Sequence, residues 1–346
     1  MSILKNNKII GYSIRRLGQS VPTLIGVITL VFFMIALIPG DAARIMLGAR
    51  ASAESLQSLR IDLGLDQPLI VQFFNYIGRL LRFDLGTSIT SQRPVLEEIR
   101  VFFPATLELS IFAIIFSSIV GIFLGIVAAL KRNTWLDYST TTVSLIGVSM
   151  PIYWLGLIMI MFFAIFLKVS PTGGRADVRL FFDPITNFYL LDGIIYFFKT
   201  GSLHIFLNAF KHLILPGVTL GLLPLATVSR ITRTSMLEVL QQDYIQTAKA
   251  MGISKIKIIY KYALKNALLP VITVIGTQFG VLLSGAILTE TIFAWPGLGR
   301  WMYHAISARD FPAIQGGVIV IALTFLLINF IVDVLYVIIN PKIKLN

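Results

Sequence analysis

The sequence holds no cysteine, so neither a disulfide framework nor a thiolate metal site or nucleophile can be built from it. Only three histidines (His204, His212, His304) stand in 346 residues, which leaves histidine-based metal or proton chemistry poorly supplied. Charge is scarce as well: 13% of residues are Asp, Glu, Lys or Arg, about half the share usual in soluble domains. No GxxxxGK[ST] loop is present, so if ATP drives this protein another chain binds it. No HExxH pair occurs, and Ser149 in "GVSMP" has no histidine within its apolar stretch. An intramembrane hydrolase would therefore lack its base.

Apolar mass fills the space left by those absences. Hydrophobic residues make up 56% of the chain, and mean hydropathy is +0.83. That balance excludes a soluble globular enzyme. The remaining charge is lopsided, with 29 Lys+Arg against 17 Asp+Glu, a formal net of +12. On a soluble protein such an excess suggests nucleic acid. On a membrane protein it predicts unequal faces.

A helix needs about 20 apolar residues to cross roughly 30 Å of hydrocarbon. Six charge-poor stretches meet or approach that length: 17–40, 109–130, 138–167, 213–229, 266–289 and 311–332. The fourth is short and carries Pro216 and Pro224, so it is expected to kink and to continue as helix beyond Arg230. The run 188–198 is too short to span and contains Asp192, which predicts an interfacial helix within a loop. Six spans put both termini on one side. Segments 1–16, 131–137, 230–265 and 340–346 carry 15 basic residues against three acids, whereas 41–104, 168–212 and 290–310 carry 14 against 12. The first set is predicted to be cytoplasmic, and the excess then reads as a topology signal with no nucleic-acid partner.

Lys5, Lys8, Arg15 and Arg16 precede the first apolar run as a signal's basic region would. That run is longer than a signal's apolar core and ends in Pro39-Gly40-Asp41, a poor cleavage site, so it is expected to stay as a span. Glycines four residues apart let helices approach closely in lipid. Gly121/Gly125, Gly217/Gly221 and Gly276/Gly280 supply three such pairs, suited to a compact bundle or to a dimer seam.

The stretch 230–265 is too long to be a simple connector. Asp243 followed by Gln246 forms a capping-box pattern, and Gly252 stands where a left-handed residue would end the helix. Between them Tyr244, Ile245, Ala248 and Met251 share one face. Ser254 can cap a second, basic helix with Lys255, Lys257, Lys261 and Lys265. Two turns of helix are not stable alone in water, so the apolar face must dock. It has two places to go: this chain's own helix ends or the adjoining leaflet, or a cytosolic partner.

These residues also carry a resemblance. "DYIQTAKAMG", "ALKNALLPV" and "LTETIFAWPGLGRW" are similar to the permease subunits of bacterial peptide ABC importers. So are "RRLGQSVPTLIGV…LIPGD", "LGLDQPLIVQFFNYI", "DLGTSI", "ATLEL", "SMPIYWLG" and "INPKIKL". The resemblance covers nearly the whole chain and is nearest to the first, B-type permease of dipeptide importers. It implies an all-α, polytopic fold of six transmembrane helices, a type I ABC-importer transmembrane domain, in the bacterial inner membrane with both termini cytoplasmic. It divides the chain into a cytoplasmic N-terminus (1–16), a first span (17–40) and a periplasmic helical loop (41–104). A five-span core (105–340) follows, with periplasmic loop 168–212 and coupling segment 230–265, and then a cytoplasmic tail (341–346).

The implied partners are a second, C-type permease, two cytosolic ATPases, a substrate-binding protein outside and the lipid bilayer. ATP and Mg would sit on the ATPases, with no cofactor and no enzymatic chemistry in this chain. The resemblance makes the short helix a coupling helix that seats in an ATPase groove. Asp243 would cap it, Tyr244, Ile245 and Ala248 would line its docking face beside Gln246, and Gly252 would allow the sharp turn. The family's general signature opens Glu-Ala-Ala six residues before its glycine. Here the triplet is Gln246-Thr247-Ala248, without the acid.

Glu108 and Asp333 are the acids in or beside apolar spans, the default candidates for a pathway. Each lies near a span end, where interfacial water or a partner helix is within reach. In segment 41–104, helical apolar spacing over 63–78 predicts a helix after Asp66 and Pro68. Trp295-Pro296-Gly297 marks a tight turn ahead of Trp301 and Tyr303, aromatics suited to the interface. The expected function is import of di- or oligopeptides driven by partner ATPases. The alternatives are an ion-coupled carrier of peptides or amino acids, a family importer of nickel complexes or glutathione, and a membrane scaffold.

Overall fold

In the computed structural model, residues 2–37, 42–47, 51–62 and 64–339 are described, with the side chains of 2–10, 12, 42, 45, 46, 62, 143–148, 284, 285 and 335–339 left out. The chain is helical, and a lone bridge between Thr87 and Pro94 is the one β feature among the described residues. In chain order the helices are α1 (Ser2–Leu37), α2 (Ala42–Leu47), α3 (Ala53–Asp62), α4 (Leu69–Leu81), α5 (Val95–Leu130), α6 (Trp135–Ser149), α7 (Ile152–Met159), α8 (Tyr189–Thr200), α9 (His204–Leu240), α10 (Asp243–Ala250), α11 (Lys255–Lys257), α12 (Leu264–Ile292), α13 (Leu298–Ala308) and α14 (Phe311–Ile339). Two π-helical segments, Ile160–Phe166 and Ile258–Ala263, extend α7 and join α11 to α12.

Among the described residues, five stretches are long and apolar enough to cross a membrane: Ser13–Leu37, Val95–Leu130, His204–Leu240, Lys255–Leu283 and Phe311–Val334. The expected third span departs from one continuous helix. Proline lacks the N–H that would bond back one turn and disfavours helix in the residue before it. At Met150-Pro151 the stretch therefore breaks into α6 and the α7–π unit, each too short to span alone. The fourth span does continue past Arg230, as one helix from His204 to Leu240 with Pro216 and Pro224 inside it. The run 188–198 forms most of α8, which packs on α9. The helix foreseen after Pro68 is α4, whose N-cap is Pro68.

The centre of the bundle is the α5–α9 pair, on which α12 and α6 pack, with α14 on α12 and α1 on α14. The glycine pairs explain that order. A Cβ at Gly125 would lie 2.6 Å from the Ser229 carbonyl, and one at Gly221 would lie 2.8 Å from the Ala113 carbonyl. Gly121 faces Val228 and Leu225, and Gly217 faces the Phe112 ring. Gly276 and Gly280 face Val332 and Phe325 of α14. All three pairs thus serve seams inside this chain, which decides for the compact bundle over the dimer seam.

Apolar clusters mark the two ends. Val95, Ile99, Leu298, Met302 and Ala313 form one; Ile126, Met236, Ile245, Ile258 and Ala267 form the other.

Candidate functional site

At the end holding segments 131–137 and 230–265, α9 stops at Leu240 and the chain turns through Gln241 and Gln242 into α10. The helix starts differently from the capping-box expectation. Its N-cap is Gln242, with no side-chain cap bond, and Asp243 lies exposed in the first turn. There its carboxylate favours the positive end of the helix dipole without capping it. Gln246 accepts a bond from Lys249 Nζ at 3.4 Å instead of reaching back.

The stop is as foreseen. Gly252 takes φ 72°, its N–H donates to the Lys249 carbonyl at 3.0 Å, and the Ile253 N–H donates to Ala248 at 3.2 Å. Those two bonds make a Schellman motif, which satisfies carbonyls that a helix end otherwise leaves open. Ser254 does occupy the next N-cap, though without a side-chain bond.

The face predicted to dock outward is divided by the structure. Ile245 is fully buried and Ala248 nearly so. Both sit against Ile126, Ala129, Met236, Ile258 and Ala267 of this same chain. Tyr244 is half-exposed, and its hydroxyl accepts from Asn266 Nδ2 at 2.8 Å, tying α10 to the start of α12. Met251, expected on the same face, is exposed. Ile245 and Ala248 are thus taken up by packing within this chain. The surface left open consists of Asp243, Tyr244, Gln246, Thr247, Lys249, Ala250 and Met251.

The first turn of α6 is fixed to the same end. Arg233 of α9 grips Asp137 through two bonds, Nε to Oδ1 at 2.6 Å and a terminal nitrogen to Oδ2 at 2.8 Å. The hydrogen bond from Arg233 holds the Asp137 carboxyl below the usual carboxylate range against the opposing effect of burial.

At the other end, segments 41–104, 168–212 and 290–310 meet in buried polar knots. Glu108 is one centre. Arg175 donates to its Oε2 at 2.6 Å and Leu190 N–H donates to its Oε1 at 2.7 Å. Arg175 also donates to the Asn187 carbonyl at 2.6 Å and lies 3.9 Å from the Tyr189 ring centroid. Both charged side chains are 5% exposed, so the carboxylate is fully engaged within the chain. Asp333, the other candidate, pairs with Arg16 at 3.3 Å with both groups partly exposed.

Sequence reasoning did not single out Glu290 or Asp310, and both are buried centres. Glu290 accepts from Thr106 Oγ1 at 2.5 Å and from Arg300 N–H at 2.8 Å, while Thr106 accepts from Leu298 N–H at 2.7 Å. Together they cap the start of α13 from outside the helix. A Cβ at Gly299 would lie 2.9 Å from that carboxylate, so glycine is what admits it. The Trp295 indole N–H donates to the Ala105 carbonyl at 3.0 Å. Asp310 accepts from Ser88 Oγ at 2.7 Å and from the N–H groups of Thr90 and Ala313. The signal that locates them is an acid bounded by Gly and Pro turns at the end of an apolar run. Asp192 is likewise buried, accepting twice from Thr186.

Among the described residues no group of three or more His, Asp or Glu is placed to hold a metal ion. The fold and its two ion-paired ends define an all-α polytopic membrane protein. The chain belongs to the family of binding-protein-dependent transport system inner membrane components, which matches residues 121–345, with the family's N-terminal part matching 9–110. It is 47% identical over 331 residues to a di/tripeptide transport system permease protein of Pseudomonas aeruginosa, covering 95% of this chain and 97% of that one. It is 48% identical over 338 residues to a dipeptide transport system permease protein of Alkalihalophilus pseudofirmus, covering 97% and 99%. A probable D,D-dipeptide transport system permease protein of Escherichia coli is 48% identical over 321 residues, covering 92% and 93%. These relatives are named as transport permeases, not as enzymes.

Proposed function

We propose that this chain is the B-type permease half of an ATP-driven importer of di- and tripeptides. The observation that carries the reading is near-full-length identity close to one half with permeases named for those cargoes. The chain would line half of a translocation path with a second permease. A binding protein would deliver peptide at the end that holds Glu108 and Glu290, and two ATPases would act at the end that holds α10. The charge excess supports that orientation, since it gathers in the segments of the α10 end.

The geometry supports a coupling role for α10. A two-turn helix seated by Ile245 and Ala248 and stopped at Gly252 transmits a push on its open face into the bases of α9, α5 and α12. Contact with an ATPase then falls to Gln246, Thr247, Lys249 and Met251 rather than to the buried pair. The ion-coupled alternative is disfavoured because Glu108 and Asp333 are engaged by Arg175 and Arg16.

The test is uptake of labelled dipeptide into proteoliposomes carrying the complete complex. Uptake is expected with ATP enclosed and to stop without it. Uptake that persists under an ion gradient with ATP withheld would sink the importer reading. Uptake of glutathione or a nickel complex in place of dipeptide would overturn the cargo.

A further inference from the structure

A crevice of about 240 Å³ lies between the α7–π unit and α9, lined by Met159, Phe163, Val169, Ile214, Leu215 and Val218, with Ser170 and Lys211 as its polar members. Its origin is local. The π segment Ile160–Phe166 widens the turns that face α9, and the short side chains of Ile214 and Val218 do not fill the space. Its inner wall continues into the packed cluster of Ala164, Leu215 and Phe293. Phe162 and Phe166 of the same π segment and Leu207 and Ile214 of α9 are exposed, so the two elements that wall the crevice carry apolar surface suited to a bilayer.

The polar members lie at one level. Lys211 stands two residues before the apolar run that starts at Leu213, and Val169 and Ser170 follow the one that ends at Leu167 after exposed Lys168, which does not line the crevice. Val218 lies two helical turns further in, roughly 10 Å at 1.5 Å per residue. The crevice therefore runs from the edge of the hydrocarbon inward, with an exposed ammonium at its outer end. Among the described residues no ion pair includes Lys211. Asp177, whose N–H meets Asn208 a turn earlier on α9, has its carboxylate turned to the Arg179 N–H.

We propose that this crevice binds an anionic phospholipid of the leaflet at the Glu108 end, with one acyl chain along Phe163, Ile214 and Val218 and the phosphate on Lys211. Three physical points select that occupant. Apolar walls give a water molecule no partners, and they would strand the N–H and C=O groups of a peptide. The volume is below that of pockets that enclose whole small molecules, while a linear chain entering from the bilayer needs no enclosure. The cation at the outer end complements a phosphate where a phosphate would lie. The inference does not rest on the transport reading.

Native mass spectrometry of the full chain, titrated with phosphatidylglycerol and with phosphatidylcholine of the same acyl chains, tests it. Phosphatidylglycerol is expected to be retained about fivefold or more over phosphatidylcholine, the effect of one lysine near an anionic headgroup. Lys211→Gln should erase that preference and Lys211→Arg should keep it. Val218→Trp, which fills the inner half, should lower retention of both lipids. Equal retention of the two lipids, or an unchanged preference in Lys211→Gln, overturns the headgroup assignment. Unchanged retention in Val218→Trp overturns the chain assignment. Retention by the isolated chain that vanishes in the assembled complex would give the crevice to a protein partner and overturn the proposal.

Discussion

Glu108 and Arg175 show what an acid beside an apolar span does when the chain supplies its own counter-charge. Each leaves water for the other, and the Leu190 N–H and Asn187 carbonyl take up remaining bonding capacity. Removing one partner strands the other, which costs about 3–5 kcal/mol in buried pairs. Glu108→Gln is therefore expected to lower thermal stability strongly, and adding Arg175→Met should recover part of the loss. If the double variant is no better than the single, the stranded-charge account is wrong. Gly252 gives a second residue-scale expectation. Nothing lies within 4 Å of a Cβ built there, yet φ is +72°, so Gly252→Ala should cost about 1–2 kcal/mol from backbone strain alone. Asn, which tolerates that conformation, should cost less, and hydrogen exchange at Ile253 would report both. Gly252 was legible because its conformational role follows from residue type. Glu290 was not, since its two partners, Thr106 of α5 and the Arg300 N–H of α13, are brought to it by a helix distant in the chain and by a turn whose shape a single sequence does not reveal.

Among the elements, α10 was legible in extent and stop, while the seat of its apolar face was left open. The sequence showed one apolar face but could not say whether that face met a stranger or the chain itself. The structure buries Ile245 and Ala248 within the chain, which sets what a charge does at each position of the helix. Ile245→Asp buries a charge among Ile126, Met236 and Ile258 and should detach α10, read as new proteolysis near Gly252. Met251→Asp should leave the fold intact and abolish association with partner ATPases. If Met251→Asp binds them normally, the open face is not the contact. The break in the third span was not foreseen, because an apolar count ignores a missing N–H at Pro151. The glycine pairs were legible as close-packing sites, yet their partners were not. Gly125→Ala should cost about 1–3 kcal/mol by overpacking against Ser229 and Thr232, whereas Gly26→Ala, with nothing within 4 Å, should be neutral in the same melting assay.

Over the whole molecule, the charge arithmetic proved a sound guide to grouping. Segments assigned together by their basic content do meet: Asp137 with Arg233 at one end, Ser88 with Asp310 and Glu98 with Trp301 at the other. Because the Asp137 pKa is lowered on folding, its contribution is complete above about pH 4 and disappears as pH falls through the folded value. Asp137→Asn should thus melt earlier than the parent at neutral pH, by about 1 kcal/mol once the water-exposed part of Arg233 is allowed for. The two should converge in acid. A gap that stays constant down to low pH would assign the loss to packing.

The α5–α9 seam has one more implication, for manufacture. Its two halves are not neighbours in the chain: α5 ends at Leu130 and α9 begins only at His204. At about 5–20 residues per second, the ribosome needs roughly 4–15 s to make the intervening stretch. For that interval the glycine-lined groove of α5 faces lipid or an insertion chaperone without its mate. The nascent permease is most open to wrong pairing then, and errors in its assembly should trace to that delay rather than to any weakness of the finished bundle.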